Sequence, residues 1–365
     1  PKSQELVANP YRFDGDREKA KVFFEDGLRQ VFQNMAQSTN KNFPLTVYYA
    51  FKQTETDEND EEDIEELHES RTSTGWETML AGLLGSGYQI TGTWPLRTEL
   101  SNRTIASEKN ALASSIALVC RPRSNSDDVI TRRDLLNIFK RELPIALKIL
   151  QKGNIAPVDF AQAAIGPGIS IFSRYRQILE ADGSLMTVHD ALALINSALD
   201  AFLTEQEGEF DGDTRWALAW YEQYGHELGL YGVAETLSKA KNTSVEGLSH
   251  AGFLEARSGK VRLLRRDELD ANWDPSKDTR LTAWEAVQHL IRALDKDGEK
   301  SAGALLGKLG SVGETARDLA YRLYTICERK GWAQEALAYN MLVVAWPRLN
   351  EIASREQISD QGKLF

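Results

Sequence analysis

Cysteine is nearly absent: Cys120 and Cys327 are the only two in 365 residues, which excludes a disulfide-stapled secreted domain and a cysteine-rich zinc site. Both sit in apolar runs, SSIALVC and YRLYTIC, with no histidine at metal spacing, and they are expected to be reduced core thiols. No apolar stretch reaches the roughly 20 residues of a bilayer span, so no membrane partner is expected. The first residues, PKSQELVANPYRFDGDREKA, carry neither an apolar core nor a small-residue cleavage site. That argues against a secretory signal and for a cytoplasmic location. HExxH, a GKS/GKT loop and Cys-His zinc spacing are missing too, and the five histidines are scattered. No catalytic residue and no metal ligand is nominated.

Glycine-rich spellings do occur, at 82–87 (GLLGSG), 165–168 (IGPG) and 307–313 (GKLGSVG). None follows a strand and opens a helix, the context in which backbone N–H groups hold phosphate, so they read as helix caps and turns.

A hydrophobic content of 42% is enough for a substantial core, and the length allows two or three domains. The net charge of −11 is local, because ten acids crowd into TETDENDEEDIEELHES at 54–70. Setting those ten aside leaves 44 acidic against 43 basic residues. The segment 54–74 is expected to be a solvated, flexible loop; an autoinhibitory DNA mimic is the alternative.

Periodicity divides the rest. Residues 14–37 have helical spacing, FPLTVYYAFKQ at 43–53 is β-rich, 75–87 is a short helix closed by glycines, and 88–96 and 111–123 are strands. Helix, strand, helix, strand, strand reads as the second half of an α/β sheet ending in a long hairpin, with its first half expected upstream of Pro1. From about 129 the chain turns helical, with helices joined by Gly- and Pro-containing turns such as AIGPGIS. Residues 232–270 change again. A short helix, a second one capped by a Thr243/Glu246 box, and a hairpin turning at Ser258-Gly259 follow in winged-helix order. The expected domains are 1–128 (end of an α/β sheet), 129–231 (helical), 232–270 (winged-helix-like) and 271–365 (helical).

Two stretches carry candidate nucleic-acid contacts. In TWPLRTELSNR at 93–103, Trp94, Arg97, Thr98 and Arg103 follow a buried strand, and an aromatic with two guanidinium groups suits base stacking and phosphate contact. The same residues also read structurally, with Trp94 covering the sheet and Arg97 paired to Glu99. At 237–266, Lys239, Lys241, Arg257, Lys260, Arg262, Arg265 and Arg266 outnumber Glu246 and Glu255 by five charges. A winged helix sets its second helix in the major groove and its basic wing on phosphate. Here that helix, SVEGLSH, offers few base-reading side chains, and winged helices also dock proteins.

The wording of GWETMLAGLLGSGYQITGTWPLRTE, NALASSIALVCRPR, GNIAPVDFAQAAIGPGISIFSRY, EGEFDGDTRWALAWYEQYG, AKNTSVEGLSHAGFLEARSGKVRLL and ARDLAYRLYTICERKGWAQEALAYN closely resembles the C-terminal part of the large adenine-specific DNA methylases. These bear an N-terminal domain of unknown function and occur in prokaryotic antiviral islands. The resemblance runs from about residue 11 to 350. It implies the C-terminal half of a Rossmann-like methyltransferase sheet followed by a mainly helical region with a winged-helix-like segment. It further implies double-stranded DNA, the N-terminal half of the methylase and other defence-island proteins as partners, and S-adenosylmethionine as cofactor of the full-length enzyme. This chain departs from the family's pattern. The Gly-rich donor loop is absent, and in place of (Asp/Asn)-Pro-Pro-Tyr the nearest spelling is Asn9-Pro10-Tyr11. The chain alone is therefore expected to be inactive and to hold no cofactor. A non-catalytic protein-docking module of a defence complex is the alternative.

Overall fold

The computed structural model describes residues 5–7, 9–50, 74–97, 114–123 and 128–361. The chain is mixed α/β and mostly helical. It divides into two compact units, residues 1–150 with 159–199 and residues 151–158 with 200–365, a division that falls within the segment 129–231. Among the described residues no helix is long and apolar enough to cross a membrane. The acidic segment 54–74, apart from Thr74, lies outside the described residues, as do Thr98 and Arg103.

The first unit holds α1 (Arg17–Ser38), β1 (Leu45–Ala50), α2 (Thr74–Gly85), β2 (Tyr88–Arg97), β3 (Ser114–Pro122), β4 (Val129–Thr131), β5 (Gln177–Leu179) and the greater part of α3 (Arg132–Lys152), α4 (Pro157–Phe172) and α5 (Val188–Gln206). Asp16 starts α1 by accepting the Lys19 N–H at 3.0 Å, and the Thr39 hydroxyl closes it on the Met35 carbonyl at 2.6 Å. The sheet order is β1-β3-β2. β3 is antiparallel to both neighbours, so β1 and β2 run parallel, with α2 as the crossover between them. Val, Ile, Tyr and Leu at alternate positions give each strand one apolar face. On that face Ile90, Ile116, Leu118 and Cys120 are buried against Trp76 and Leu80 of α2 and against α3, α4 and α5. Burial of such side chains contributes about 1.5–3 kcal/mol each. A bulge between Ile90 and Gly92 turns the Ile90 amide out of the ladder, and Ser173 accepts it at 3.1 Å.

Two features of this unit depart from the sequence reading. AIGPGIS, expected to be a turn, lies inside α4. Its glycines serve close packing instead: a Cβ on Gly166 would lie 1.6 Å from Thr93 Oγ1, and one on Gly168 would lie 2.4 Å from an Ile195 carbon. In addition, β4 and β5 form a short parallel pair, too brief to leave an alternating pattern in sequence.

The second unit holds α6 (Gly212–Tyr224), β6 (Gly229–Leu230), α7 (Tyr231–Ala240), α8 (Val245–His250), β7 (Leu254–Arg257), β8 (Lys260–Leu263), α9 (Ala283–Leu309), α10 (Ser311–Lys330) and α11 (Ala333–Gln361). Its core is unusually aromatic. Trp216, Trp220, Trp284, Trp346, Tyr221 and Tyr339 are fully buried, and Tyr221 meets His226, Trp284 and Trp332 edge-on at 5.1–5.4 Å. Cys120 and Cys327 are both free and buried, and burial pushes each thiol pKa up to about 12. Both are inert core thiols.

Candidate nucleic-acid interface

The segment 232–270, expected to be winged-helix-like, belongs to a larger unit than its sequence signature. Asp211 caps α6 by accepting the Thr214 N–H at 2.7 Å, and the Trp216 indole N–H donates to the Ala234 carbonyl at 3.1 Å, tying α6 to α7. The two-residue strand β6 pairs with β8, which pairs with β7, giving the order β6-β8-β7. α6 and β6 therefore complete a helix, strand, helix, helix, strand, strand module; the sequence places α6 in the preceding helical region, and the two-residue β6 leaves no pattern of its own. Ala234, Leu248, Phe253, Val261 and Leu263 form its interior, each fully buried.

The cap of α8 differs from the expected box. Ser244, not Thr243, is the N-cap and accepts the Gly247 N–H at 3.0 Å. Thr243 instead bonds Asp213 and the Arg280 guanidinium, and Arg280 grips Asp213 at 2.6 and 3.0 Å. This long-range network outcompetes the local cap, and Ser244 fills the position it leaves. The Arg280 guanidinium lies against Gly247, where a Cβ would come within 2.4 Å of it.

At the hairpin tip, Ser258 (φ 53°) and Gly259 (φ 75°) form a two-residue turn of the kind that suits right-twisted strands. Arg257 and Lys260 face each other across it, and Glu255 faces Arg262 in the next outward row. Val261 and Leu263 point inward, as alternation requires. The two outward rows are electrostatically different. Arg262 donates to Glu255 at 2.7 Å and, through both terminal nitrogens, to Glu268 at 2.7 Å. The Arg262 hydrogen bonds, with that from the Arg265 amide, lower the Glu268 pKa to about 2. Arg262 is thus neutralised by Glu255 across the hairpin and by Glu268 just beyond it. Arg257 and Lys260 are exposed and have no ion pair among the described residues.

The remaining sequence candidates fall elsewhere. Lys239 pairs with Glu235 at 3.1 Å on the surface of α7, and Lys241, half-buried, is the residue that ends α7. In the first unit Trp94 is 64% exposed on β2, and Arg97 ends that strand opposite Ser114. Counting charge over 237–266 missed Glu268, the carboxylate that silences Arg262. Its signal was its position three residues beyond Arg265, whose amide donates to it at 2.7 Å.

Among the described residues, the three glycine-rich spellings take the following places. The glycines at 82–87 close α2, those at 165–168 lie inside α4, and those at 307–313 join α9 to α10, so none opens a helix from a strand. Asn9-Pro10-Tyr11 begins a single 3-10 turn in which the Asn9 side chain accepts the Tyr11 N–H at 3.0 Å, leaving Tyr11 91% exposed.

Residues 211–364 match the model of a domain of unknown function (DUF8807), a span that starts at the cap of α6 and takes in α6–α8, the β6-β8-β7 sheet and α9–α11. No curated protein and no solved structure matches the chain.

Proposed function

We propose that this chain is the C-terminal fragment or subunit of an adenine-specific DNA methyltransferase, and that its winged module holds double-stranded DNA by the phosphate backbone. The observation that carries the DNA contact is the wing tip, where Arg257 and Lys260 stand side by side, exposed and without a carboxylate partner among the described residues. Cations so placed contact phosphate without reading sequence, which matches the poverty of base-reading groups on the six-residue α8. The parallel pair β1 and β2 with the hairpin return β3 between them supports the half-sheet reading. S-adenosylmethionine belongs to the complete enzyme, on residues that this chain does not supply, and the N-terminal half of the methylase is the partner that would supply them.

The test is duplex binding as a function of salt. The logarithm of affinity falls with log salt in proportion to the phosphates contacted, and the wild-type chain should show a slope that weakens in an Arg257→Ala/Lys260→Ala variant. A slope near zero in the wild type sinks the DNA reading.

One observation favours a second reading, docking to other proteins of a defence complex. Leu228, Leu230, Tyr231 and Val233 are 38–63% exposed in one run of chain around the edge strand β6. An exposed apolar run beside a sheet edge is a usual protein contact. Leu230→Ser, which removes the apolar side chain without adding a charge beside Lys260, should weaken such a contact and leave the salt slope for DNA unchanged.

A further inference from the structure

The sheet of the first unit has a second face, and it carries two aromatics in one row. In the ladder Tyr48 lies opposite Ala117, and Ala117 lies opposite Trp94. Residues directly opposite share a face, so Tyr48 and Trp94 stand on the same side, about 10 Å apart across two strand spacings. That side is turned away from the core: Tyr48 is 71% exposed and Trp94 64%, while Ala117 between them is 6% exposed. The Trp94 indole nitrogen lies 3.6 Å from where a Cβ on Gly92 would be, so the ring runs along the strand over the glycine.

The charge of this face is one-sided. Arg121 is exposed on it, in register with Gln89, and none of its described residues is acidic. Aromatic rings on this sheet face, with a cation and no carboxylate among the described residues, complement a polyanion whose π-faces are free. Bases in a duplex are stacked on each other and offer no such faces. The geometry points to a binding platform for unpaired nucleobases of a single-stranded nucleic acid on the Tyr48–Ala117–Trp94 row. This deepens the nucleic-acid reading given above and rests on it for the class of polymer, but it uses other residues in the other unit and a different form of nucleic acid.

The experiment titrates the full chain with a fluorescein-labelled oligothymidylate of about eight residues, and separately with a duplex. Tyr48→Ala and Trp94→Ala should each weaken single-strand binding about tenfold, Trp94→Phe should retain most of it, and duplex binding should be unmoved. Arg257→Ala/Lys260→Ala should do the reverse. Because both aromatics are largely exposed, folding is checked simply by an unchanged melting temperature. As a second readout, an oligonucleotide containing 2-aminopurine should lose fluorescence on binding the wild type and keep it with Trp94→Ala. Absence of single-strand binding by the wild-type chain, or unchanged affinity in the folded Tyr48→Ala/Trp94→Ala variant, overturns the platform while leaving the wing untouched. Equal losses for single strand and duplex in that variant overturn it as well, since the row would then be a general polyanion contact.

Discussion

Thr282 and Glu285 bond each other twice at the start of α9: the Glu285 amide donates to the Thr282 hydroxyl oxygen at 3.1 Å, and that hydroxyl donates to Glu285 Oε2 at 2.9 Å. This places a carboxyl that is 1% exposed close to Asp278, Asp213 and Asp211. Burial, which outweighs the Thr282 bond, raises its pKa to about 8, with the three carboxylates adding to the rise. The folded protein therefore keeps a proton that the unfolded chain releases near the ordinary glutamate value. Stability from this group is fully present below that value and is lost as pH rises toward 8. Glu285→Gln keeps the acceptor and removes the titration. It should melt higher than wild type at pH 9, by roughly 3–6 °C for about 1–2 kcal/mol, and show no gain at pH 5. Thermal melts across pH check this; a variant less stable than wild type at pH 9 would show that the carboxylate is stabilised there.

The wing variants should separate by row. Arg257→Ala/Lys260→Ala should lower the salt slope of duplex binding by about two, the number of exposed tip cations, with stability changed by no more than about 0.5 kcal/mol. Arg262→Ala should do the opposite. It leaves Glu255 and Glu268 facing each other without their shared cation, costing about 1 kcal/mol, while the slope stays near wild type. Denaturant melts and salt titrations on the same samples check both halves; a slope loss with Arg262→Ala would mean that this guanidinium leaves its carboxylates for phosphate.

Packing in the first unit makes a sharper prediction. A Cβ at Gly166 would fall 1.6 Å from Thr93 Oγ1 and 2.5 Å from Thr93 Cβ. Gly166→Ala should therefore destabilise by about 1–3 kcal/mol or more, although alanine is the better helix former. Adding Thr93→Gly should recover part of the loss. As a control, Gly232 in α7 has nothing near its missing Cβ, and Gly232→Ala should be neutral or slightly stabilising. Equal melts for Gly166→Ala and wild type would mean that α4 and β2 move apart readily.

The contrast between these glycines shows what sequence can convey. Elements with a strong period were legible: Phe23, Phe32 and Met35 mark α1, and the Val-Tyr-Phe run marks β1, because burial of one face writes its period into the chain. The turn at Ser258-Gly259 was legible because its two residues need positive φ. What failed was non-local. Gly166 spells a turn, and only the approach of Thr93 shows it to be a packing glycine. Thr243 spells a cap, and only Asp213 and Arg280 draw it away. Arg262 counts as a free cation until Glu268 comes back to meet it. The candidate interface was thus located by charge and order, but which of its cations are available depended on partners outside the window.

The cofactor reading carries its own test. With the glycines at 82–87, 165–168 and 307–313 committed to helix ends and helix packing, the chain alone should show no heat of binding with S-adenosylmethionine by titration calorimetry. A dissociation constant in the micromolar range would mean that residues of this chain form a donor site, and would overturn the fragment reading.

The sheet edge supplies the last prediction. β1 is paired on one side by β3, and among the described residues no strand pairs its other side. A strand edge presents unpaired N–H and C=O groups at every second residue, and another strand satisfies them better than water once apolar side chains are buried with it. The side chains for that burial are present: half-buried Val47 and Tyr49 pack on the core beside Trp76, with the Tyr49 and Trp76 rings 5.0 Å apart. If the N-terminal half of a methylase sheet belongs beside β1, the chain alone should self-associate with rising concentration, and co-expression with that half should yield a complex in place of the homo-oligomer. Sedimentation over a hundredfold concentration range checks this. A chain that stays strictly monomeric throughout, and does not co-purify with that half, would count against the truncated sheet and shift weight to a unit that is complete by itself.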